Sequence, residues 1–259
     1  MYLHENQKEW DELVARAAKR YALAEAFVIK DYFIFLALKL ITQEYPEIVF
    51  KGGTCLSKCH NAIARFSEDV DLGLEVEHAT EGQRKRMKLA VTRAAEKMGL
   101  AVSNLDETRS RREFNKYLVP LPTIAGGFGN DALIIETAVM TPASPAVTKA
   151  VDSYLYRLCI DEGFHDVVSE YGLEPFELLA NSIERTFVDK YSHCATTTWQ
   201  ARSRLGNRGI STTSTSSHPS CPSTKPSLSF SIRCACSARV RMDASPHKTT
   251  WISRPSWKQ

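Results

Sequence analysis

The chain has 259 residues and a formal net charge of +3, a length that suits one large domain or two small ones. Its charge is divided unevenly: residues 1–190 carry 23 Lys and Arg against 29 Asp and Glu, whereas residues 191–259 carry 10 against 1. The longest purely apolar run, residues 33–38, is far too short to cross a bilayer, and the start of the chain is polar. These features exclude a membrane protein and predict a cytoplasmic one without a membrane partner.

Two helices are predicted in the N-terminal region. In the first, apolar side chains recur at helical spacing and share one face, with charged residues around them. This face consists of Trp10, Leu13, Val14, Ala17 and Tyr21. The second helix, from about residue 23 to residue 42, is apolar on most of its surface, so we expect it to be buried, and Pro46 ends the region.

A strand, a glycine turn and a helix are predicted next. Residues 48–50 form the strand, Gly52 and Gly53 the turn, and Thr54 the N-cap of the helix. After a short loop, residues 70–76 alternate as a strand, with Asp69 at its entrance.

The remaining pattern indicates an α+β chain. It predicts a helix at residues 81–98, strands at 101–102, 117–121 and 133–139, and a later helix capped by Ser182. The glycines between the last two strands, at positions 126, 127 and 129, are typical of a hairpin or loop. A phosphate-binding loop would lead directly into a helix, and here a strand follows.

Asp69 and Asp71 are the first candidates for chemistry. One residue separates them in a predicted strand, so their side chains point to the same face and can share a cation. Their oxygen ligands suit Mg²⁺ (or Mn²⁺), because Mg²⁺ takes only one or two protein carboxylates and completes its shell with water and substrate phosphates. An isolated Asp-x-Asp is also typical of an exposed turn, so this spacing alone does not define a metal site.

The glycine pair strengthens the hypothesis. A glycine pair that opens a helix offers free backbone N–H groups to phosphates, the helix dipole favours their charge, and Thr54 can add a hydroxyl. A strand, Gly52-Gly53-Thr54, a helix and the Asp-x-Asp follow one another closely in this chain. A nucleotidyltransferase palm requires this order, since the turn holds a triphosphate and the carboxylates hold the bridging metal. We therefore expect a mixed sheet flanked by helices.

Glu136 is the candidate for a third acid. It is a single charge in the otherwise apolar strand 133–139, and a carboxylate on a neighbouring strand would complete a two-metal site. The alternative is an edge glutamate, or one that faces the inside of a barrel, with no part in the chemistry.

Three strings carry a resemblance to a known family. FKGGTCLSK at 50–58, RFSEDVDL at 65–72 and IERTFVDK at 183–190 closely resemble the bacterial AbiEii/AbiGii-type nucleotidyltransferases, the toxin half of abortive-infection and toxin–antitoxin pairs. The resemblance spans about residues 20 to 190.

The resemblance implies a function and a set of site residues. It implies metal-dependent transfer of a nucleotide from a nucleoside triphosphate (NTP) to an acceptor hydroxyl, in some members the 3′ end of tRNA, and it implies a cognate antitoxin as partner. Lys190 matches the family's later helical lysine, which is followed about two dozen residues on by an aspartate, and Ser67 is counted with the nucleotide contacts. The glycine and Asp-x-Asp motif maps onto Gly52, Gly53, Thr54, Asp69 and Asp71.

Lys190 also has a rationale in its charge. A lysine on a helix that faces the carboxylates can neutralise the triphosphate or the leaving pyrophosphate, whereas without the family match it is a surface lysine. Arg185 is a second candidate for a phosphate contact, and its alternative is pairing with Glu184 or Asp189.

The segment 191–259 differs from the body in composition. It is rich in Ser and Thr, it is basic, and its start, YSHCATTTWQA, is a poor helix where the helix before it should continue. We predict that one base, a G, is lost just after the codon for Lys190. Restoring it makes the codons compatible with VFALCDYYLA, which extends the helix, and later with RHIYDLYKL, which places the family's aspartate at the position of Thr213.

The frame-loss hypothesis divides the chain into a 1–190 nucleotidyltransferase domain with N-terminal helices and an unfolded, out-of-frame tail at 191–259. It predicts that activity is impaired and that apolar surface on the body is left uncovered. The alternative is a genuine basic tail that binds nucleic acid electrostatically.

Two other functions compete with an active nucleotidyltransferase. The first is an inactive remnant that keeps a nucleotide- or antitoxin-binding surface. The second is a glycosyltransferase of the Asp-x-Asp type, which usually has a larger sugar-nucleotide domain before the motif than the roughly fifty residues that precede the glycines here.

Overall fold

A computed structural model describes residues 1–63, 69–122 and 132–189 of the chain. The chain divides into two units, Met1–Asn207 and Arg208–Gln259, and all described residues belong to the first. The predicted boundary between a 1–190 domain and a 191–259 tail lies at the edge of the described residues, and it stays a prediction.

Three helices of the described region pack against one long buried helix. A short 3-10 helix, Leu3–Glu5, precedes the first α-helix, and a helical segment at 183–189 follows the last. The α-helices are α1 (Gln7–Tyr21), α2 (Glu25–Glu44), α3 (Gly52–Lys58), α4 (Glu81–Lys97), α5 (Tyr154–Glu162) and α6 (His165–Tyr171). Helix α2 is buried on most sides, as its uniform apolar composition predicts, and it packs against α1, α4 and α5.

Six strands form one mixed sheet. They are β1 (Ile48–Lys51), β2 (Asp69–Leu74), β3 (Phe114–Pro120), β4 (Ala132–Ala138), β5 (Ala146–Val151) and β6 (Phe176–Asn181). Their order across the sheet is β3-β4-β2-β1-β6-β5, with β1 parallel to β6 and β2 parallel to β4, and antiparallel pairing elsewhere. The predicted α+β fold with a mixed, helix-flanked sheet is therefore confirmed.

The two faces of the sheet differ because strand side chains alternate. One face is apolar and joins the helical core: Phe50, Leu72, Ile135 and Tyr117 on four neighbouring strands are at most 1% exposed. The other face carries the charged residues of the central strands. The alternation of single strands thus places the acids of β2 and β4 on the face opposite the core.

Several predicted boundaries and elements differ from the structure. Residues 101–102 form no strand, because the chain after α4 is instead a turn-rich connection held to β3 by the bond from Ser103 N to Leu118 O at 2.8 Å. Strands β5 and β6 and helices α5 and α6 were not predicted, because these elements are six to nine residues long and carry little periodic signal. The glycine cluster at 126–129 lies outside the described residues.

No helix in the described parts of the chain is long and apolar enough to span a membrane.

Candidate active site

Asp69 and Asp71 lie at the start of β2 on the face away from the core. Both are half-buried, and the intervening Val70 is fully buried on the opposite face. The predicted strand alternation is thus present, and the two carboxylates share one face at the entrance of the central strand.

A row of charged side chains crosses four strands beside these aspartates. Lys51 of β1 lies opposite Asp71, Asp71 lies opposite Glu136 of β4, and Glu136 lies opposite Lys116 of β3. Residues that pair across neighbouring strands project from the same face. The row therefore has two acids in the middle and a lysine at each end.

Glu136 is brought next to Asp71, where a third acid was expected. Its carboxylate already has a cationic neighbour, since Lys116 Nζ lies 3.3 Å from Glu136 Oε1. Both side chains are partly exposed, so this ion pair is weak and replaceable. The structure therefore places Glu136 beside Asp71, with Lys116 as its cationic partner.

The glycine pair begins α3 directly, without a separate turn. Lys51 is the N-cap and Gly52 is the first helical residue, so the prediction that Thr54 caps this helix is wrong. Gly52 has a φ of +80°, and a Cβ built on it would lie 1.9 Å from Asp71 Oδ2. Only glycine fits here, because the backbone of α3 lies against the Asp71 carboxylate.

Thr54 lies inside α3 and connects it to β2. Its hydroxyl donates to the backbone oxygen of Asp69 at 2.5 Å, and the residue is buried. The hydroxyl is therefore engaged with the strand that carries the aspartates, whereas the sequence analysis assigned it to a phosphate. The difference arises because the strand contact depends on how α3 packs, which local sequence does not determine.

Lys51 is a site residue to which the sequence analysis assigned no role. Its side chain passes over Gly73, and its ammonium donates to the oxygen of Ala138 at 3.4 Å. Burial lowers the pKa of Lys51, and the nearby Asp71 carboxylate opposes that change. A signal for it was available: Lys51 ends an apolar strand immediately before the glycine pair.

The helical segment 183–189 also reaches this region. Ser182 caps it by accepting from the backbone N–H of Arg185 at 3.1 Å, as predicted. Arg185 pairs with Asp189 at 3.0 Å, and both side chains act electrostatically on Lys51. The structure thus gives Arg185 an acidic partner on its own helix, the alternative to a phosphate contact. Lys190 and Ser67 lie outside the described residues.

Within the described ranges, no group of three or more His, Cys, Asp or Glu side chains is arranged to hold a metal ion by itself. Asp69 and Asp71 are nevertheless suitable ligands for Mg²⁺, because this ion takes one or two protein carboxylates and obtains its other ligands from water and phosphate. The backbone of Gly52 lies directly against one of these carboxylates, that of Asp71.

Comparison with known proteins identifies the family. No curated protein matches the chain. Among solved structures, one similar protein is MenT4, a nucleotidyltransferase toxin from Mycobacterium tuberculosis H37Rv, with 23% sequence identity and a TM-score of 0.47. The similarity covers 70% of this chain and 57% of MenT4.

The family match covers well over half of the chain. Residues 39–209 match the family described as nucleotidyl transferase AbiEii toxin, Type IV toxin–antitoxin system. The matched range includes strands β1 to β4, which carry the charged row, and both the glycine motif and the Asp-x-Asp motif. The match begins inside α2 and continues past Lys190. This chain belongs to the AbiEii nucleotidyltransferase toxin family.

Proposed function

We propose that the chain is a metal-dependent nucleotidyltransferase that transfers a nucleoside monophosphate from an NTP to an acceptor hydroxyl. The observation that carries the proposal is the contact between two motifs: the backbone at Gly52 lies against the Asp71 carboxylate, with Asp69 on the same face. A triphosphate held by the glycine backbone is then adjacent to the carboxylates. This arrangement suits phosphoryl transfer, in which positioning and charge neutralisation supply most of the catalysis.

Asp69 and Asp71 would hold Mg²⁺ or Mn²⁺, with Glu136 as the third candidate ligand. When bound, the metal neutralises the triphosphate and the leaving pyrophosphate. The chain's own groups do the rest: the backbone N–H groups of Gly52 and Gly53 orient phosphate oxygens at the start of α3, where the helix dipole favours negative charge.

The reaction itself is an in-line displacement. The acceptor hydroxyl attacks the α-phosphorus and loses its proton to solvent as the new O–P bond forms. The bond between the α-phosphorus and the bridging oxygen to the β-phosphate breaks, and pyrophosphate leaves with that oxygen. Within this proposal, Ser67 is a nucleotide contact, Thr54 holds α3 against the strand of the aspartates through its bond to Asp69 O, and Lys190 stabilises the charge that develops on the pyrophosphate.

We propose the 3′ end of tRNA as the acceptor and a cognate antitoxin as the partner. Family membership supports the antitoxin, because the family is the toxin of a Type IV toxin–antitoxin system. The tRNA acceptor is what the motif resemblance implies for some members. A toxin that modifies the 3′ end of tRNA would block translation, and we place it in the cytoplasm, where tRNA, NTP and Mg²⁺ are present together.

The test uses carboxylate-to-amide substitutions. We expect Asp69→Asn and Asp71→Asn each to lower the rate of NTP-dependent labelling of tRNA by at least about 100-fold, because the amide loses the charge that binds the metal while keeping the side-chain shape. Labelling is measured with each of the four radiolabelled NTPs and with Mg²⁺ or Mn²⁺.

Asp106→Asn is the matched control, because Asp106 is an exposed acid on the connection between α4 and β3. This variant should label tRNA like the parent chain. Undiminished labelling by Asp69→Asn would refute the assignment of the site, and a parent chain that binds NTP without transferring it would indicate the inactive remnant.

A further inference from the structure

Two charged side chains are buried together behind the glycine helix. Lys58 is the last residue of α3, and its Nζ lies 2.6 Å from Oδ1 of Asp31 in the middle of α2. The side chains are only 9% and 6% exposed. Taking both charges out of water has a large desolvation cost, so a pair of this kind is not explained by net stability alone.

The pair is completed by backbone groups from a third element. Oδ2 of Asp31 accepts from the backbone N–H of Tyr154, the first residue of α5, at 3.0 Å. Lys58 Nζ also donates to the backbone oxygen of Asp152 at 3.1 Å. Three elements, α2, α3 and the start of α5, are therefore joined at one buried point by directional, charge-assisted bonds.

Helix α3 depends on such contacts for its position. It has seven residues, fewer than an isolated helix needs to be stable in water. Its first turn is held to β2 by the bond from Thr54 to Asp69 O, and its last residue is held to α2 by Lys58. The pairing of Lys51 with Asp71 places the start of α3 beside the carboxylate, and these two attachments fix how the rest of the helix continues from there.

We propose that Lys58 and Asp31 are positioning residues for the glycine segment: their buried pair holds α3 in the register that places the Gly52 and Gly53 backbone beside Asp71. The part of this inference that concerns nucleotide rests on the proposed function. The part that concerns the position of α3 does not. Hydrophobic substitutes of similar volume could fill the space, but they would lack the directional bonds that set the register.

The test separates positioning from stability by removing both charges at once. In the full chain, Lys58→Met alone leaves the Asp31 carboxylate buried without its partner, so we expect a clear fall in Tm. The double variant Asp31→Asn/Lys58→Met carries no buried charge, and its amide keeps an acceptor for Tyr154 N–H. We expect its Tm to return to within about 3 °C of the parent value.

The deciding measurement is local. In the double variant, amide hydrogen exchange of residues 52–58 should be at least about tenfold faster, with exchange of β2 and α4 unchanged. The KM for NTP should rise by about tenfold or more, with a smaller effect on kcat, because the substitution shifts a binding segment and leaves the carboxylates in place. Parent-like exchange and KM in this stable variant would overturn the proposal.

Two further variants complete the design. Asp31→Glu keeps the charge pair but lengthens the acid by one methylene. If the double variant does not fold, Asp31→Glu replaces it in the measurements of hydrogen exchange at 52–58 and of the KM for NTP. Parent-like values of both would again overturn the proposal. Arg20→Met/Asp161→Asn is the matched control, because it removes an ion pair of 2.7 Å that joins two helices at the surface. This control should leave exchange at 52–58 unchanged.

The exchange measurement needs no nucleotide, so the two proposals can fail separately. If the parent chain neither binds nor transfers NTP, the proposed function fails, while faster exchange confined to α3 still supports positioning. If the parent chain is active and the double variant is indistinguishable from it, the positioning inference fails and the proposed function stands.

Discussion

Lys51 introduces a positive charge beside the carboxylates of the candidate site. It lies opposite Asp71, and Asp189 and Glu136 also act on its ammonium. Burial nevertheless lowers its pKa, so the loss of hydration outweighs these attractions. The ammonium partly neutralises the acidic face before any metal or substrate is bound.

Lys51→Met is expected to strengthen metal binding. The substitution keeps most of the side-chain volume over Gly73 and removes a cation beside Asp71, so the Kd for Mg²⁺ or Mn²⁺ should fall by about tenfold, equivalent to about 1.4 kcal/mol. Stability should stay the same or increase, because a buried charge is lost. Calorimetric titration of the metal and thermal unfolding measure the two effects.

The control for Lys51→Met is Lys149→Met on the edge strand β5, which should change neither quantity. Weaker metal binding by Lys51→Met would contradict the electrostatic argument and would show that Lys51 supports the geometry of Asp71.

Asp69, Asp71 and Glu136 show how far residue-level prediction extends. Alternation within one strand predicted that the two aspartates share a face, and the structure confirms it. The neighbours of Glu136 could not be predicted, because Lys116 reaches it only through the pairing of β3 with β4, and strand pairing is a long-range property.

Helix α3 is the element on which the candidate site depends most. Its first residue combines a positive φ with a backbone that touches Asp71. A side chain at this position would be strained by the conformation and would also displace the carboxylate.

Gly52→Ala is therefore expected to lower the free energy of unfolding by about 2–4 kcal/mol and to abolish NTP-dependent labelling. Urea denaturation followed by circular dichroism measures the first effect, and the tRNA assay measures the second.

Gly82→Ala is the matched control for Gly52→Ala. Gly82 lies in the first turn of α4 in open surroundings, with Thr80 Oγ1 at 3.9 Å as the nearest contact of an added Cβ. Alanine should increase stability there by about 0.5–1 kcal/mol and leave labelling unchanged. Equal effects of the two substitutions on stability and labelling would show that the contact between Gly52 and Asp71 contributes to neither.

Helices were predicted where either a long apolar period or a local turn or cap motif marked them. Helices α1, α2 and α4 have 15 to 20 residues, and their apolar patterns repeat over several turns. Helices α5 and α6 have nine and seven residues. Too few turns repeat in these short helices for a period to be recognised, and tertiary packing supplies most of their stability.

At the scale of the whole molecule, the open question is the segment after Lys190. The last described helical segment carries two large apolar side chains, Phe187 and Val188, that are 47% and 53% exposed. Uncovered apolar surface on the body stays a prediction of the frame-loss hypothesis. The loss of the reading frame itself stays a prediction.

The predicted loss of the reading frame is tested by comparing the printed chain with a frame-restored one. We expect the chain with one G restored after the Lys190 codon to be more soluble than the chain as printed and to have at least about tenfold higher labelling activity. The restored frame would supply the family's aspartate at the position of Thr213 and would continue the predicted helix after Lys190. Soluble yield and tRNA labelling are measured for both.

A chain that ends at Lys190 is the control and should behave like the printed chain. Equal activity of the printed and frame-restored chains would show that the basic segment belongs to the enzyme. An intact frame with this same segment in independent isolates would also contradict the prediction, and it would favour the electrostatic nucleic-acid-binding tail.

The sequence by itself determined the class of fold, the long helices, the strand with its two aspartates and the family motifs. Each of these depends on local information. For helices it is the helical repeat of apolar residues, and for strands it is the alternation of apolar and polar residues. For the family motifs it is a short string in which glycine, hydroxyl and acidic residues occur in a required order. Family membership, shown by the match over 39–209, has the same origin.

Which charged and polar groups come into contact depends on tertiary packing. It placed Lys51 beside Asp71, Lys116 beside Glu136, the Thr54 hydroxyl on Asp69 O, and Lys58 against Asp31. These contacts join residues that are 15 to 27 positions apart, from Thr54 with Asp69 to Asp31 with Lys58. They depend on strand order and helix packing, which result from burying the whole apolar surface at once and therefore leave no local pattern in the chain.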